Sequence, residues 1–315
     1  MKKSILLILL FVSTLCFSVD IKEPVASYEA SGGVIDMVHA NGKLYAATNA
    51  SSVDIFDIKS KEMIQQIKVG KIKDFMGDEI NSKVYSVDVM DDKILILSLG
   101  NKGFRRVHIF SDNKLELIIP IEDKLYISEA KFIDSDTILL ALLSDDIISY
   151  NIKTKKQNWS IQSSQSKFSH FVLNEDKSKV IVADESGNLK IHSTKDGKHL
   201  KTLSGENLDN VFRVDTKNGI IATAGQDRRV VIYGAGKPYY KKASFLIYSV
   251  GLSPSGKYVG YASDENNNVT LFNTRTKSTI GVFGNNKMTI STIVFLNEKE
   301  FFVSCDDKTI NFYKI

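Results

Sequence analysis

The feature that most constrains this chain is a mark that returns about every forty residues. An aromatic or histidine near the end of an apolar run is followed by a short or polar residue. The pairs are Phe56-Asp57, Phe110-Ser111, Tyr150-Asn151, His192-Ser193, Tyr233-Gly234, Phe272-Asn273 and Tyr313-Lys314. Successive first members are 54, 40, 42, 41, 39 and 41 residues apart, so the first step carries an insertion. Self-similarity at a fixed period of this length points to one supersecondary unit copied along the chain.

Each copy reads as four short strands, a to d, because apolar positions alternate in runs of four to eight and no helical stripe competes. The runs are separated by turn formers such as Ala40-Asn41-Gly42, Asp184-Glu185-Ser186-Gly187-Asn188 and Pro254-Ser255-Gly256. The b strands (ILLALL, VIVA, IIATA) are apolar throughout, as strands covered on both faces are. Four strands in about 40 residues predict an all-β, seven-bladed β-propeller. Its blades span about 34–69, 84–119, 127–161, 168–203, 211–245, 247–283 and 290–313. The segments YASDENNNVTLFN, FVSCDDKTINFYK and ATAGQDRRVVIYG resemble the b-turn-c region of WD-repeats. The chain departs from that family's pattern in detail. Only Asp57 keeps the acid after the aromatic, no tryptophan occupies that place, and the Gly-His pair between blades is absent.

The last copy, Ile290 to Tyr313, has no d strand. An unpaired outer edge is a liability that folds avoid. Val25 to Ala30 (VASYEA) is a strand-like run without another partner, so it is expected to supply that strand and close the ring. Residues 1–18 lie outside this scheme and read as a secretory signal peptide. Lys2 and Lys3 precede the apolar run Ile5 to Val12, and Ser18 offers a cut ahead of Val19. The run is shorter than the ~20 residues that span a bilayer. Cleavage would leave 39 basic against 37 acidic side chains and a single cysteine, Cys305, so no disulfide could form within the mature chain. The expected compartment is the periplasm, with retention of the signal as an anchor the alternative. The expected state is a monomer without stable membrane insertion after cleavage.

A near-neutral charge argues against nucleic acid, which needs a concentrated basic face. No two of His39, His108, His170, His192 and His199 sit at metal-ligand spacing on one element. His192 takes the repeat's aromatic place, and His170 lies on a strand expected to line the central channel. Asp145, Asp184, Asp227, Asp264 and Asp306 recur at b–c turns, where a carboxylate caps turn N–H groups. No nucleophile elbow and no phosphate-binding glycine loop occur. The reading is therefore of no catalytic residues, no metal and no cofactor.

What remains is a surface for another protein. Arg105-Arg106 and Arg228-Arg229 sit where b passes to c, on the face that also carries the d–a connections. The longest of these, Gly70 to Ser82, holds Phe75 and Met76. A long connection with exposed apolar residues is a candidate contact site, and guanidinium groups suit carboxylates on a partner. An exported, cysteine-poor propeller of this size also resembles the accessory protein, L type, of periplasmic nitrate reductase systems. That resemblance implies a role in the maturation or electron supply of the reductase, with no cofactor in this chain. Two alternatives stand beside it: a propeller enzyme of lactonase or quinoprotein type with its site in the channel, and an outer-membrane assembly scaffold. Trp159 alone faintly resembles the tryptophan-docking motif of the quinoproteins.

Overall fold

A computed structural model describes residues 20–315, and the signal segment read above lies outside them. The described residues fold as seven blades around an axis, each with a four-stranded antiparallel sheet. Blade one comprises strands a to d at Val34–Ala40, Lys43–Thr48, Ser52–Asp57 and Met63–Lys68. Blade two follows at Val84–Met90, Lys93–Leu99, Arg105–Ser111 and Lys114–Ile119. Blades three to six repeat the order, and blade seven uses Ile290–Phe295, Glu300–Cys305, Thr309–Lys314 and, as its outer strand, Ala26–Glu29. Local chemistry sets several turns. Asn41-Gly42, Asp112-Asn113 and Asn218-Gly219 each have positive φ at both residues, the condition for a tight two-residue hairpin.

The core is not one mass but a series of apolar layers, one between each pair of neighbouring blades. Leu95, Leu97, Val107 and Ile109 of blade two, for example, meet Phe132, Ile138 and Leu140 of blade three. This is why the b strands are apolar on both sides.

Ring closure follows the sequence reading. Ala26 pairs with Phe312 and Tyr28 with Ile310. Tyr28 is fully buried, edge-on to Phe302 of blade seven at 5.7 Å and to Phe56 of blade one at 5.6 Å. Its hydroxyl donates to the Ile58 carbonyl at 3.0 Å, so the closing strand also clamps the last blade onto the first. One element was not foreseen. Ile21–Lys22 adds a fifth, parallel strand to the outer edge of blade six, opposite Val282 and Phe283.

Blade boundaries differ by more than one residue in two places. The outer strand of blade five ends at Lys242, short of Phe245, and the inner strand of blade six starts at Val250, not Ile247. The intervening apolar residues resemble a strand, but their backbone bonds elsewhere. Ala243 N–H donates to Arg228 O (2.9 Å) and Ile247 N–H to Gly225 O (3.3 Å), which ties the segment to blade five. The insertion between blades one and two is itself structured, as a small hairpin of Ile72–Lys73 and Glu79–Ile80.

Candidate functional site

The ring has two faces. One carries the d–a and b–c connections (the loop face), the other the a–b and c–d turns (the turn face). Fifteen large apolar side chains are exposed among the described residues. Eight of them, Phe75, Met76, Ile80, Tyr126, Leu143, Leu208, Phe245 and Met288, lie on loop-face connections, and the other seven lie on or next to outer strands. None is on a turn-face connection. Single exposed apolar residues are ordinary, but a one-sided distribution marks a surface that water does not favour.

Phe75 and Met76 stand at the tip of the inserted hairpin, 95% and 72% exposed. Asp74 Oδ1 accepts from Met76 N–H (2.8 Å) and Asp78 N–H (2.9 Å), which fixes the tip. The base is anchored by buried Ile72 and by Lys73 N–H donating to Asn101 Oδ1 at 3.1 Å. The four arginines do not form one patch, because blades two and five lie apart around the ring. Arg105 stacks on Tyr85 (4.1 Å) and bonds the Gly103 carbonyl. Arg106 Nη2 donates to Ser82 Oγ at 2.9 Å, beside the hairpin base. Arg229 stacks on Tyr240 (4.1 Å) and donates to the Glu206 carbonyl (2.8 Å), while Arg228 is exposed with φ of 62°.

The channel holds what the sequence reading mostly missed. In six of the seven a strands one residue bulges near the start. A bulge re-aims the side chain that follows, and the residues that follow are Asp36, Ser86, Glu129, His170, Arg213 and Thr292. Each a strand is an inner edge whose N–H groups need acceptors. The preceding blade supplies them. Val87 N–H donates to Asp36 (3.0 Å), Ala130 N–H to Ser86 (3.2 Å), Phe171 N–H to Glu129 (2.9 Å) and Val214 N–H to His170 Nδ1 (3.4 Å). Phe132 N–H to Asp88 (2.7 Å) and Leu252 N–H to Asp215 (2.7 Å) repeat the device one step along. Aligning the repeats would have shown the polar third position, but a two-residue period conceals the bulge.

Cations balance these acids. Lys131 Nζ donates to Asp36 Oδ2 (3.1 Å) and to the Val87 carbonyl (3.0 Å), and Arg213 Nη1 is 3.9 Å from Asp36 Oδ1. Burial works against the Asp36 carboxylate, but Lys131 and Arg213 outweigh it and hold its pKa below the usual range. Burial pushes Glu129 up to about 7, with Lys131 opposing. Burial, then Arg213 and Lys131, keep His170 neutral well below its ordinary pKa. Val214 N–H approaches its Nδ1, and its Nε2 faces both Arg213 Nη1 at 3.4 Å and Glu129 Oε1 at 3.5 Å. This layer divides the channel. A cavity of about 400 Å³ opens toward the turn face, and one of about 260 Å³, rimmed by Tyr85, Phe212 and Tyr248, opens toward the loop face.

The other singled-out residues have structural surroundings. Asp184, Asp227 and Asp264 accept turn N–H groups from Ser186 (2.7 Å), Arg229 (3.0 Å) and Asn266 (3.0 Å). In blade seven Asp307 does this for Thr309 (2.7 Å), not Asp306. Asp145 is the exception: it is fully buried and neither oxygen has a partner. His192 is buried between Ser163 and the Gly197 carbonyl, each at 3.2 Å. Cys305 is buried, and burial with nearby Asp307 pushes its thiol up to about 11. Trp159 docks across to blade four through a 3.1 Å bond to the Thr194 carbonyl.

No family model and no curated protein matches the chain. Solved structures do. The β-propeller domain of Myceliophteria thermophila Cps50 (Swd1) superposes with a TM-score of 0.72 at 12% identity, covering 93% of this chain and 99% of that one. The fold is a seven-bladed, WD-repeat-like β-propeller. Since 1839 chains of solved structures match, the fold by itself does not select a function.

Proposed function

We propose that this chain is an exported, non-catalytic scaffold that binds another protein through its loop face. The observation that carries the reading is that, among the described residues, the large apolar side chains exposed on connections all lie on that face. The use of the channel carboxylates as acceptors for the next blade supports a structural role for them. The finer reading, service to a periplasmic nitrate reductase, draws on chain size, the leader-like start and the divergent repeats. Pull-down from the exporting cell tests the face. Changing Leu208 and Met288 to Ser, or Phe75 and Met76 to Ser, is expected to lose the partner, whereas Met63→Ser with Ile64→Ser on an outer strand retains it. Equal recovery from all three variants overturns the reading. Periplasmic nitrate reduction unchanged in a strain lacking the chain would overturn the finer one.

A further inference from the structure

Beneath the hairpin lies a recess of about 290 Å³, lined by Lys71, Ile72, Lys73, Glu79, Asn101, Arg106 and Ile121. Three cations face it against one acid, and that acid, Glu79, is already paired with Lys71 at 3.1 Å. Among the described residues no carboxylate pairs with Lys73 or Arg106. Arg106 uses Nη2 on Ser82 Oγ and, at 3.4 Å, on the Gly70 carbonyl, but its buried Nε has no acceptor. Ser98, directly across the strand pair from Arg106, has a buried hydroxyl without a partner as well. A buried charged donor left unpaired is costly, and a carboxylate is the acceptor that fits a guanidinium edge. Phe75 and Met76, at the tip of the hairpin whose Ile72, Lys73 and Glu79 line the recess, are held in place and uncovered.

We propose that this corner of blade two binds an acidic, apolar segment of a partner protein. A carboxylate enters the recess among Lys71, Lys73 and Arg106, and neighbouring apolar side chains cover Phe75 and Met76. The proposal rests on the loop-face reading and names the partner's chemistry there. The charge of the recess selects a carboxylate there, and the tip, where Asp74 and Asp78 flank Phe75 and Met76 outside the recess lining, selects apolar side chains beside that carboxylate. Because the hairpin is already ordered, binding spends little free energy on arranging it.

The test uses the chain from Val19 onward with ¹³C-labelled methionine methyl groups. The probes are a synthetic peptide of alternating Leu and Glu, its Leu/Gln and Leu/Lys counterparts, and acetate alone. The Leu/Glu peptide is expected to shift the Met76 methyl signal. Lys71→Ser with Lys73→Ser, both exposed positions, weakens that binding about tenfold or more, the scale of a charged hydrogen bond. Glu79→Gln strengthens it. Equal binding of the Leu/Gln peptide, or no effect of the lysine changes, overturns the proposal. Acetate reproducing the shift at the same concentration also overturns it, in favour of a small free anion. A shift at Met288 instead of Met76 would refute this recess while leaving the loop-face reading in place.

Discussion

Replacing Asp145 by Asn should stabilise the protein, and only as the pH rises. Asp145 sits at the b–c turn of blade three, with none of its surface exposed and no bond to either oxygen. The adjacent carboxylate is Asp184 of blade four, itself fully buried and bound by Lys190 (2.5 Å), Ser164 (2.7 Å) and Ser186 (2.7 Å). One ammonium thus serves two carboxyl groups. Burial first, and then the charge of Asp184, push Asp145 up to about 7, with Ser164 and Lys190 opposing. In the unfolded chain it titrates near 3.9.

The folded state therefore holds this proton more tightly than the unfolded one. Below about pH 4 its ionisation costs nothing. Between about pH 4 and 7 stability falls by about 1.4 kcal/mol per pH unit, and above that the loss levels off. Asn cannot ionise, and its amide N–H groups add a donor beside the Asp184 carboxylate. The variant's advantage should reach on the order of 4 kcal/mol at pH 8, and should grow by about 2.5 kcal/mol between pH 5 and pH 8. Urea unfolding of both proteins at several pH values measures this. The slope with pH separates the titration from any fixed cost of the substitution. A difference that stays flat, or that favours the natural residue more at high pH, would refute the argument.

Lys131→Met leaves Asp36, Asp88 and Glu129 without their shared cation. A loss of about 3–5 kcal/mol is expected near pH 7, partly recovered near pH 4 as the acids protonate, and denaturant midpoints at the two pH values check it. Removing residues 20–30 uncovers the edge of Thr309–Lys314 and deletes Tyr28, so unfolding should become broad and the protein prone to associate; a calorimetric transition as sharp and as late as that of the longer chain would disprove the closure. Tyr28→Ala alone should cost about 3–5 kcal/mol, read from the same unfolding curves. Cys305 should resist Ellman's reagent in the native state at pH 8 and react only as the chain unfolds, since its thiol is buried and raised to about 11. Rapid reaction of the folded protein would contradict that placement.

Much of the fold was legible because each blade is a local object. Strand alternation, two-residue turns such as Asn41-Gly42 and Asn218-Gly219, and the forty-residue period all depend on neighbours in sequence. Even the closing strand could be inferred, since an unmatched Val25–Ala30 and an incomplete last blade imply each other. What only the tertiary structure decided depends on which blade stands beside which. The bonds that Val87 N–H donates to Asp36 and Phe171 N–H to Glu129 join residues 51 and 42 apart, so no local pattern announces them or the a-strand bulge. The same holds for Asp145, which resembles the other turn acids in sequence yet loses its cap to burial against Asp184. The arginine pairs show the limit most plainly. Sequence placed all four on one face, but only the folded ring separates them, stacks Arg105 and Arg229 on tyrosines, and sets Arg106 beside the hairpin base. Periodicity is a property of the chain, whereas pairing between blades is a property of the closed ring.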